Sequence, residues 1–237
     1  MRRAWNALVT IVTGLAVVLA CLWLLRDPRS PLPDAWNPLT PLDLAAPVTP
    51  WTSMKLRRAA ADPMSCLAAI IPHADVQSLP PLVGDGGCGI DPRVAVTRVG
   101  QTRLSRVETT CAVALRLAAW ERFVVQPAAA AHLGSGVARF RHQSSYNCRM
   151  IRTESGPGTR LSTHATAEAI DIAGVHLTDG RRLELIDHWA APTPEADFFR
   201  ALHTGACEWF VTVLGPDFNA LHADHFHMQS VGWGACR

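Results

Sequence analysis

The sequence predicts an α+β domain in which helices pack on a small antiparallel sheet that carries the functional residues. Three observations lead there. Apolar residues Val113, Leu115, Leu117, Ala118, Trp120 and Val124 fall at helical spacing between Thr109 and Val125. The runs Val94 to Val99 and Ala169 to Ala173 alternate as half-buried strands do. Helices come first and short, chemistry-bearing strands come last, an order that suits segregated helices and strands rather than repeated βαβ units. At 237 residues and 49% apolar content, the chain can bury one full core once its N-terminal segment is set aside.

From the N-terminus, residues 1–6 are followed by an uncharged, mostly apolar run from Ala7 to Leu25, long enough for a helix to cross the ~30 Å hydrocarbon core of a bilayer. It reads as a transmembrane anchor with a cytoplasmic N-terminus, which Arg2 and Arg3 favour weakly. The alternative is a cleaved or lipidated signal, since Val18 to Cys21 resembles a lipoprotein cleavage box, although apolar residues continue past it to Leu25. Residues 26–62 hold prolines at 28, 31, 33, 38, 41, 47 and 50 and read as an extended linker, the alternative being that Trp36 and Trp51 rest on the membrane interface. The globular domain is expected over residues 63–237. Within it, the helix from Thr109 to Val125 is expected to be ended or offset by Pro127, and a second helix from Asp197 to Leu214 leads into the final sheet segment.

Charge excludes one class of partner. The formal net charge is +2 and the basic residues, nearly all Arg, are scattered, so the chain carries no electrostatic footprint for nucleic acid. Of seven cysteines, Cys21 lies in the apolar run, leaving Cys66, Cys88, Cys111, Cys148, Cys207 and Cys236. An even set without a Cys-x-x-Cys pair fits three disulfides in an oxidising compartment. Sequence does not select among the connectivities; pairing of sequence neighbours, Cys66 with Cys88, Cys111 with Cys148 and Cys207 with Cys236, is the expectation. The domain is expected in the periplasm, held by a single pass through the inner membrane.

Two stretches carry the chemistry: Ser162-Thr-His-Ala-Thr-Ala-Glu-Ala-Ile-Asp171 and His222-Ala-Asp-His-Phe-His227. His164, Asp171 and one histidine of the second stretch would supply the three protein ligands of a catalytic zinc site, which keeps a fourth position for water. A bend over Ala165 to Ala169 is needed to bring His164 back to Asp171, which points away from the apolar Ile170 and Ile172. In an extended His225-Phe226-His227, both imidazoles project from one face and Phe226 enters the core.

The spacing Ser-x-His, then Ala-x-Asp, then His-x-His resembles the zinc signature of lysostaphin-type endopeptidases, D-Ala-D-Ala carboxypeptidases and the hedgehog signalling domain. More narrowly, the blocks Leu161 to Asp171, Asp179-Gly-Arg181, Ala206-Cys207, Val213 to Asn219 and Asp224 to His227 resemble the bacterial extensin-like C-terminal domain, over roughly Cys66 to Arg237. The resemblance implies the same α+β architecture, one zinc ion on His164, Asp171 and His227, and His225 beside the metal as base or transition-state stabiliser. Where this chain has Ala167, the first motif usually has Gly, so a turn that needs a positive φ would be strained here, whereas Ala fits if φ is negative. Carboxypeptidase relatives carry a Glu where Asp224 stands. Asp224 is one methylene shorter and is expected to orient a neighbouring imidazole, leaving His225 as the acid/base.

A peptidase for cell-wall peptides also needs a cation for the substrate carboxylate. Arg149, beside Cys148, fits that role, with Arg152 as the alternative, and Tyr146 is a candidate for the cleft. The expected function is a membrane-anchored zinc peptidase or amidase acting on peptidoglycan peptides. The competing reading is a zinc-stabilised cell-envelope binding module that cleaves nothing.

Overall fold

The structure, a computed structural model, describes residues 2–153 and 156–237. It divides into two compact units, one up to Arg57 and one spanning Arg58–Arg237.

In the first unit, α1 (Arg2–Arg26) contains a stretch, Trp5–Arg26, long and apolar enough to cross a membrane. The proline-rich segment after α1 is folded, which corrects the expectation of an extended linker. A 3₁₀ turn at Asp34–Trp36 and the start of α2 (Thr52–Ala61) are drawn together around the one lysine of the chain. Lys55 is 5% exposed, and its Nζ donates to the Asp34 carbonyl at 2.6 Å and to Thr40 Oγ1 at 2.8 Å. Thr49 Oγ1 donates to the Ala35 carbonyl at 2.8 Å, and Leu42, Leu44 and Leu56 are buried. Proline removes backbone donors, but here side-chain donors satisfy the carbonyls, so a proline-rich stretch folds without ladders.

The second unit begins with α3 (Pro63–Ile70), whose cap is Asp62: its carboxylate accepts the Ser65 N–H at 2.8 Å and Pro63 occupies the first turn. Strand β1 (Ala74–Leu79) is followed by the small hairpin β2 (Leu82–Val83) and β3 (Gly89–Ile90), then by β4 (Arg93–Val99) and β5 (Thr102–Thr110). The β4–β5 turn needs glycine at position 100, where φ is +53° and a Cβ would lie 1.8 Å from the Glu121 carboxylate. Thr110 caps α4 (Cys111–Trp120), which passes through a π-helical turn at Glu121–Val125 into α5 (Gln126–Leu133). Pro127 therefore offsets the helix rather than ending it, because the wider turn absorbs its missing N–H.

Next come β6 (Val137–His142), the hairpin β7 (Met150–Thr153) and β8 (Gly156–Leu161), then β9 (Ala169–Leu177), β10 (Arg182–Glu184), α6 (Leu185–His188), α7 (Pro194–Trp209), β11 (Thr212–Leu214) and β12 (Phe226–Gln229). The second expected helix thus stops at Trp209. Val211, Thr212 and Val213 are β-branched, and Thr212 to Leu214 pair with β12 instead.

The main sheet has eight strands in the order β1-β4-β5-β6-β9-β12-β11, with β10 also on β9. It is larger than expected and mixed, since β5 and β6 run parallel. Helices α4 and α5 supply the long crossover that a parallel pair requires. Helix α7 packs on α4 and α5. Trp120 stacks on Phe140 at 5.5 Å, and its Nε1 donates to the Leu202 carbonyl at 3.0 Å. All of β9 except His176 is buried, as befits a central strand covered on both faces.

Three disulfides staple this unit, and Cys21 is the free cysteine among the described residues. Cys207 pairs with Cys236 as expected. The other two pairings are corrected: Cys66 joins Cys111 and Cys88 joins Cys148, with Cα atoms 6.2 and 5.6 Å apart. Strands β1, β4 and β5 run back and forth between Cys66 and Cys111, and α3 packs on α4 across that meander. Chain proximity was the wrong guide because the sheet returns the chain to its starting end.

Candidate metal centre

The centre is assembled by one strand pair and one turn. In the antiparallel β9–β12 ladder, His227 lies directly opposite Asp171. Opposed residues project from the same face, and His227 Nδ1 accordingly meets Asp171 Oδ1 at 2.8 Å. Phe226 points the other way, within ring contact of Phe199, Trp189 and His203.

His164 arrives on a 3₁₀ turn, Thr163–Thr166, started by Ser162, whose Oγ accepts the His164 N–H at 3.3 Å. The chain reverses at Ala167, which takes the left-handed conformation (φ +51°, ψ +30°). The anticipated strain is therefore real. The carbonyl of Ala167 accepts from Thr109 Oγ1 at 3.1 Å and from the Thr110 N–H at 3.3 Å, so the sheet holds the turn in place.

Three donor atoms converge. His164 Nε2 is 3.1 Å from Asp171 Oδ2 and 3.1 Å from His227 Nδ1, and all three residues are buried. Two ligands ~2.0–2.1 Å from one zinc at the tetrahedral angle stand ~3.3 Å apart, so nitrogen, nitrogen and carboxylate oxygen have the spacing and chemistry of a three-ligand site. The surroundings fix which atoms face inward. His164 Nδ1 donates to the Ser145 carbonyl at 2.8 Å, which leaves Nε2 with its lone pair toward the centre. His227 Nε2 lies 2.8 Å from the Gln229 side-chain amide; with that amide turned so that its oxygen accepts Nε2–H, Nδ1 faces the centre with its lone pair.

Burial raises the Asp171 pKa, but hydrogen bonds and charge from His164 and His227 outweigh it and hold the carboxyl well below the usual carboxylate range. Burial lowers that of His227, with the Asp171 hydrogen bond opposing it. Both groups are thus biased toward the deprotonated forms that bind metal.

His225 sits just ahead of β12, with Nε2 3.7 Å from Asp171 Oδ1. Its Nδ1 donates to Asp224 Oδ1 at 2.7 Å, and Asp224 Oδ2 accepts from Gln143 Nε2 at 2.9 Å. Burial raises the Asp224 pKa while these two bonds lower it, with a net fall.

Arg149 is half-buried; its Nη1 donates to the Met150 carbonyl at 3.2 Å, while Nε is buried with no hydrogen-bond partner. Burial, followed by the neighbouring Arg152, lowers its pKa, and the charge of Asp171 opposes them. The hydroxyl of Tyr146 lies by Gly84, in the loop closed by Cys88, and is 3.4 Å from the place a Cβ would take there.

Four residues at this centre had no role assigned from sequence. His222 lies with its ring centroid 5.3 Å from that of His225 and 5.7 Å from that of His227, and its Nδ1 donates to Asn219 Oδ1 at 2.7 Å. Burial, and then the charges of His227 and His225, push it down to about 4. Its place in the His-x-Asp-His-x-His run was visible, but nothing there distinguished it from its neighbours. Gln229 follows His227 by two positions, so strand alternation could have found it. Gln143 and Ser145 adjoin the Tyr146–Arg149 block and contact the site through tertiary structure alone.

A second group, His203, Cys207 and Cys236, brings potential donors together, but both sulfurs are spent in a disulfide. No curated protein and no solved structure matches the chain. The family profile described as extensin-like protein C-terminus matches residues 64–237, a span that contains every residue of this centre, and the chain belongs to that family.

Proposed function

We propose that the chain is a membrane-anchored periplasmic zinc peptidase or amidase that acts on peptidoglycan peptides. The observation that carries this reading is the convergence of His164 Nε2, Asp171 and His227 Nδ1, with His225 close by but bonded on its far side to Asp224. A structural zinc site closes itself with a fourth protein ligand, whereas a hydrolytic one keeps a position free. His164, Asp171 and His227 would hold one zinc ion, which when bound lowers the pKa of water toward neutrality and polarises a carbonyl.

His225 is the proton carrier: with Nδ1–H held by Asp224, its Nε2 is turned toward Asp171 and can take a proton from water and pass it to the leaving amine. Asp224 orients the imidazole through the Nδ1–H bond, and Gln143 fixes Asp224. Arg149 offers a planar fork to a substrate carboxylate at the edge of the centre. The α1 helix and three disulfides support an anchored domain in an oxidising compartment.

The test is incubation of the full-length, zinc-loaded chain with purified peptidoglycan, followed by mass spectrometry of the soluble fragments. New fragments that disappear with Asp171→Ala and with chelation support the peptidase. Binding to peptidoglycan without release of any fragment would leave the non-catalytic envelope module as the reading.

A further inference from the structure

Residues 27–51 form a folded collar fastened to the end of the apolar helix. Helix C-termini leave carbonyls without intrahelical partners. In α1 two carbonyls of the last turn are taken by side chains from the collar: Ser30 Oγ donates to the Leu24 carbonyl at 2.8 Å, and Asn37 Nδ2 donates to the Leu25 carbonyl at 2.9 Å. Asn37 is buried, and its Oδ1 in turn accepts the Leu39 N–H at 2.9 Å. The Thr49 to Ala35 bond and the Lys55 to Asp34 bond then close the collar on itself. Extended as polyproline, residues 27–51 would reach ~75 Å; folded, Thr49 returns to Ala35.

The collar has an interior of Leu42, Leu44 and Leu56, yet it leaves large apolar side chains outside. Trp36 is 51% exposed, Leu39 51%, Val48 54% and Trp51 41%, alongside Trp23 on α1 at 46%. Trp36 and Leu39 are one and two residues from Asn37, so their Cα atoms lie within ~8 Å of the residue bonded to the helix end. Trp51 is two residues from Thr49, whose partner Ala35 adjoins Trp36. The layer between hydrocarbon and water is ~5–8 Å thick on each side of a bilayer, and Trp concentrates there because its ring is apolar and its N–H is polar.

We propose that this collar is a membrane-interface module: α1 is retained as a span, and Trp36, Leu39 and Trp51 seat in the headgroup layer of the bilayer that α1 crosses. The inference rests on the reading of α1 as an anchor rather than a removed signal, and the collar's bonds to Leu24 and Leu25 favour retention, since they make helix and collar one folded unit. Arg26, Arg29 and Arg57 are balanced in number by Asp27, Asp34 and Asp43, and Lys55 is buried, so the seating is aromatic and does not depend on anionic lipid.

The test uses the full-length chain in vesicles of phosphatidylethanolamine and phosphatidylglycerol. Intact mass of the membrane-extracted protein reads the anchor: an uncleaved N-terminus is expected, and a processed, soluble protein would remove both the anchor and the collar proposal. In a Cys21→Ser background, nitroxides at Trp36→Cys and Trp51→Cys are expected to show at least roughly threefold higher oxygen-to-nickel accessibility ratios than one at Val83→Cys, an exposed position of the globular unit. The ratios should not change with phosphatidylglycerol content. Because cysteine variants can misfold, the unlabelled protein provides a second reading: brominated lipid should quench native Trp emission, and the quenched fraction should fall in Trp36→Phe/Trp51→Phe. Equal ratios at all three positions in an anchored protein would overturn the collar proposal while leaving the anchor standing. So would protection that tracks protein concentration instead of lipid, which would assign the patch to self-association.

Discussion

Asp224 Oδ1 accepts the Nδ1–H of His225 at 2.7 Å, while Nε2 on the opposite side of the same ring lies 3.7 Å from Asp171 Oδ1. The imidazole is thus suspended between a solvent-accessible carboxylate, 47% exposed, and a buried one that belongs to the donor triad. A side chain held this way can carry a proton without serving as a ligand. His225→Ala should keep zinc and fold but lose ~10²–10⁴-fold in the rate of fragment release. Asp224→Asn should cost ~10-fold in kcat with KM changed less than about twofold, because orientation is weakened while Gln143 still holds the side chain. Near-total loss at Asp224 with a mild effect at His225 would exchange their roles.

The metal set and its support should separate by stoichiometry and affinity. His164→Ala, Asp171→Ala and His227→Ala should each abolish stoichiometric zinc in elemental analysis, since two ligands rarely retain it. Gln229→Leu should keep the stoichiometry but weaken zinc by ~10–100-fold in competition with a chromophoric chelator, the usual effect of removing the partner that orients a ligating imidazole. Unchanged affinity in Gln229→Leu would make its 2.8 Å contact with His227 incidental.

The disulfides are a folding matter, and their pairing is directly readable. Peptide mapping without reduction should find Cys66 with Cys111, Cys88 with Cys148 and Cys207 with Cys236. Cys66→Ser/Cys111→Ser should lower stability by ~2–4 kcal/mol and leave zinc stoichiometry unchanged. A peptide joining Cys66 to Cys88 would refute the pairing.

Ala167 takes a positive φ where the motif usually carries Gly, the strained one of the two conformations the sequence left open. A non-glycine residue in the left-handed region costs ~1–2 kcal/mol, while the buried methyl contributes ~0.8 kcal/mol. The two nearly offset, so Ala167→Gly should change stability by no more than ~1 kcal/mol in chemical denaturation. Ala167→Val adds a β-branched side chain to the same φ in a fully buried site and should cost more than ~2 kcal/mol. Equal stability of the Gly and Val variants would show that the turn relaxes.

Each feature was legible in the sequence to the extent that its signal is local. The β9 and β12 segments, and the facing of Phe226 away from His227, came from two-residue alternation, which is local. A bend between His164 and Asp171 was legible because the chain had to return within a few small residues, but its 3₁₀ form and left-handed end at Ala167 were not, since Ala also fits a negative φ. The collar was hidden because prolines argue against ladders and say nothing about a buried Lys55 collecting carbonyls. The two disulfides and the parallel β5–β6 pair depend on the order of strands in the sheet, which no local pattern encodes. For the same reason Ser145, whose carbonyl fixes the tautomer of His164, could not be singled out.

Acid should weaken the metal-free protein from a higher pH than its carboxylates alone would suggest. His222 is held down to about 4, chiefly by burial and then by His227 and His225. Between its ordinary 6.5 and that value the unfolded chain binds a proton that the folded chain does not, so stability falls as pH drops through this window. Asp171 acts with the same sign at lower pH: its carboxyl is depressed, so its contribution is present above its unfolded value of 3.8 and lost below it. A shift of this size in a partly exposed imidazole, discounted for solvent, corresponds to ~1–2 kcal/mol. Urea denaturation of metal-free protein at pH 7.5, 6.5, 5.5 and 4.5 should show that loss for the native sequence, and His222→Gln should flatten the change between 6.5 and 4.5. A profile for His222→Gln parallel to the native one would mean that this imidazole titrates freely and is not enclosed by the centre.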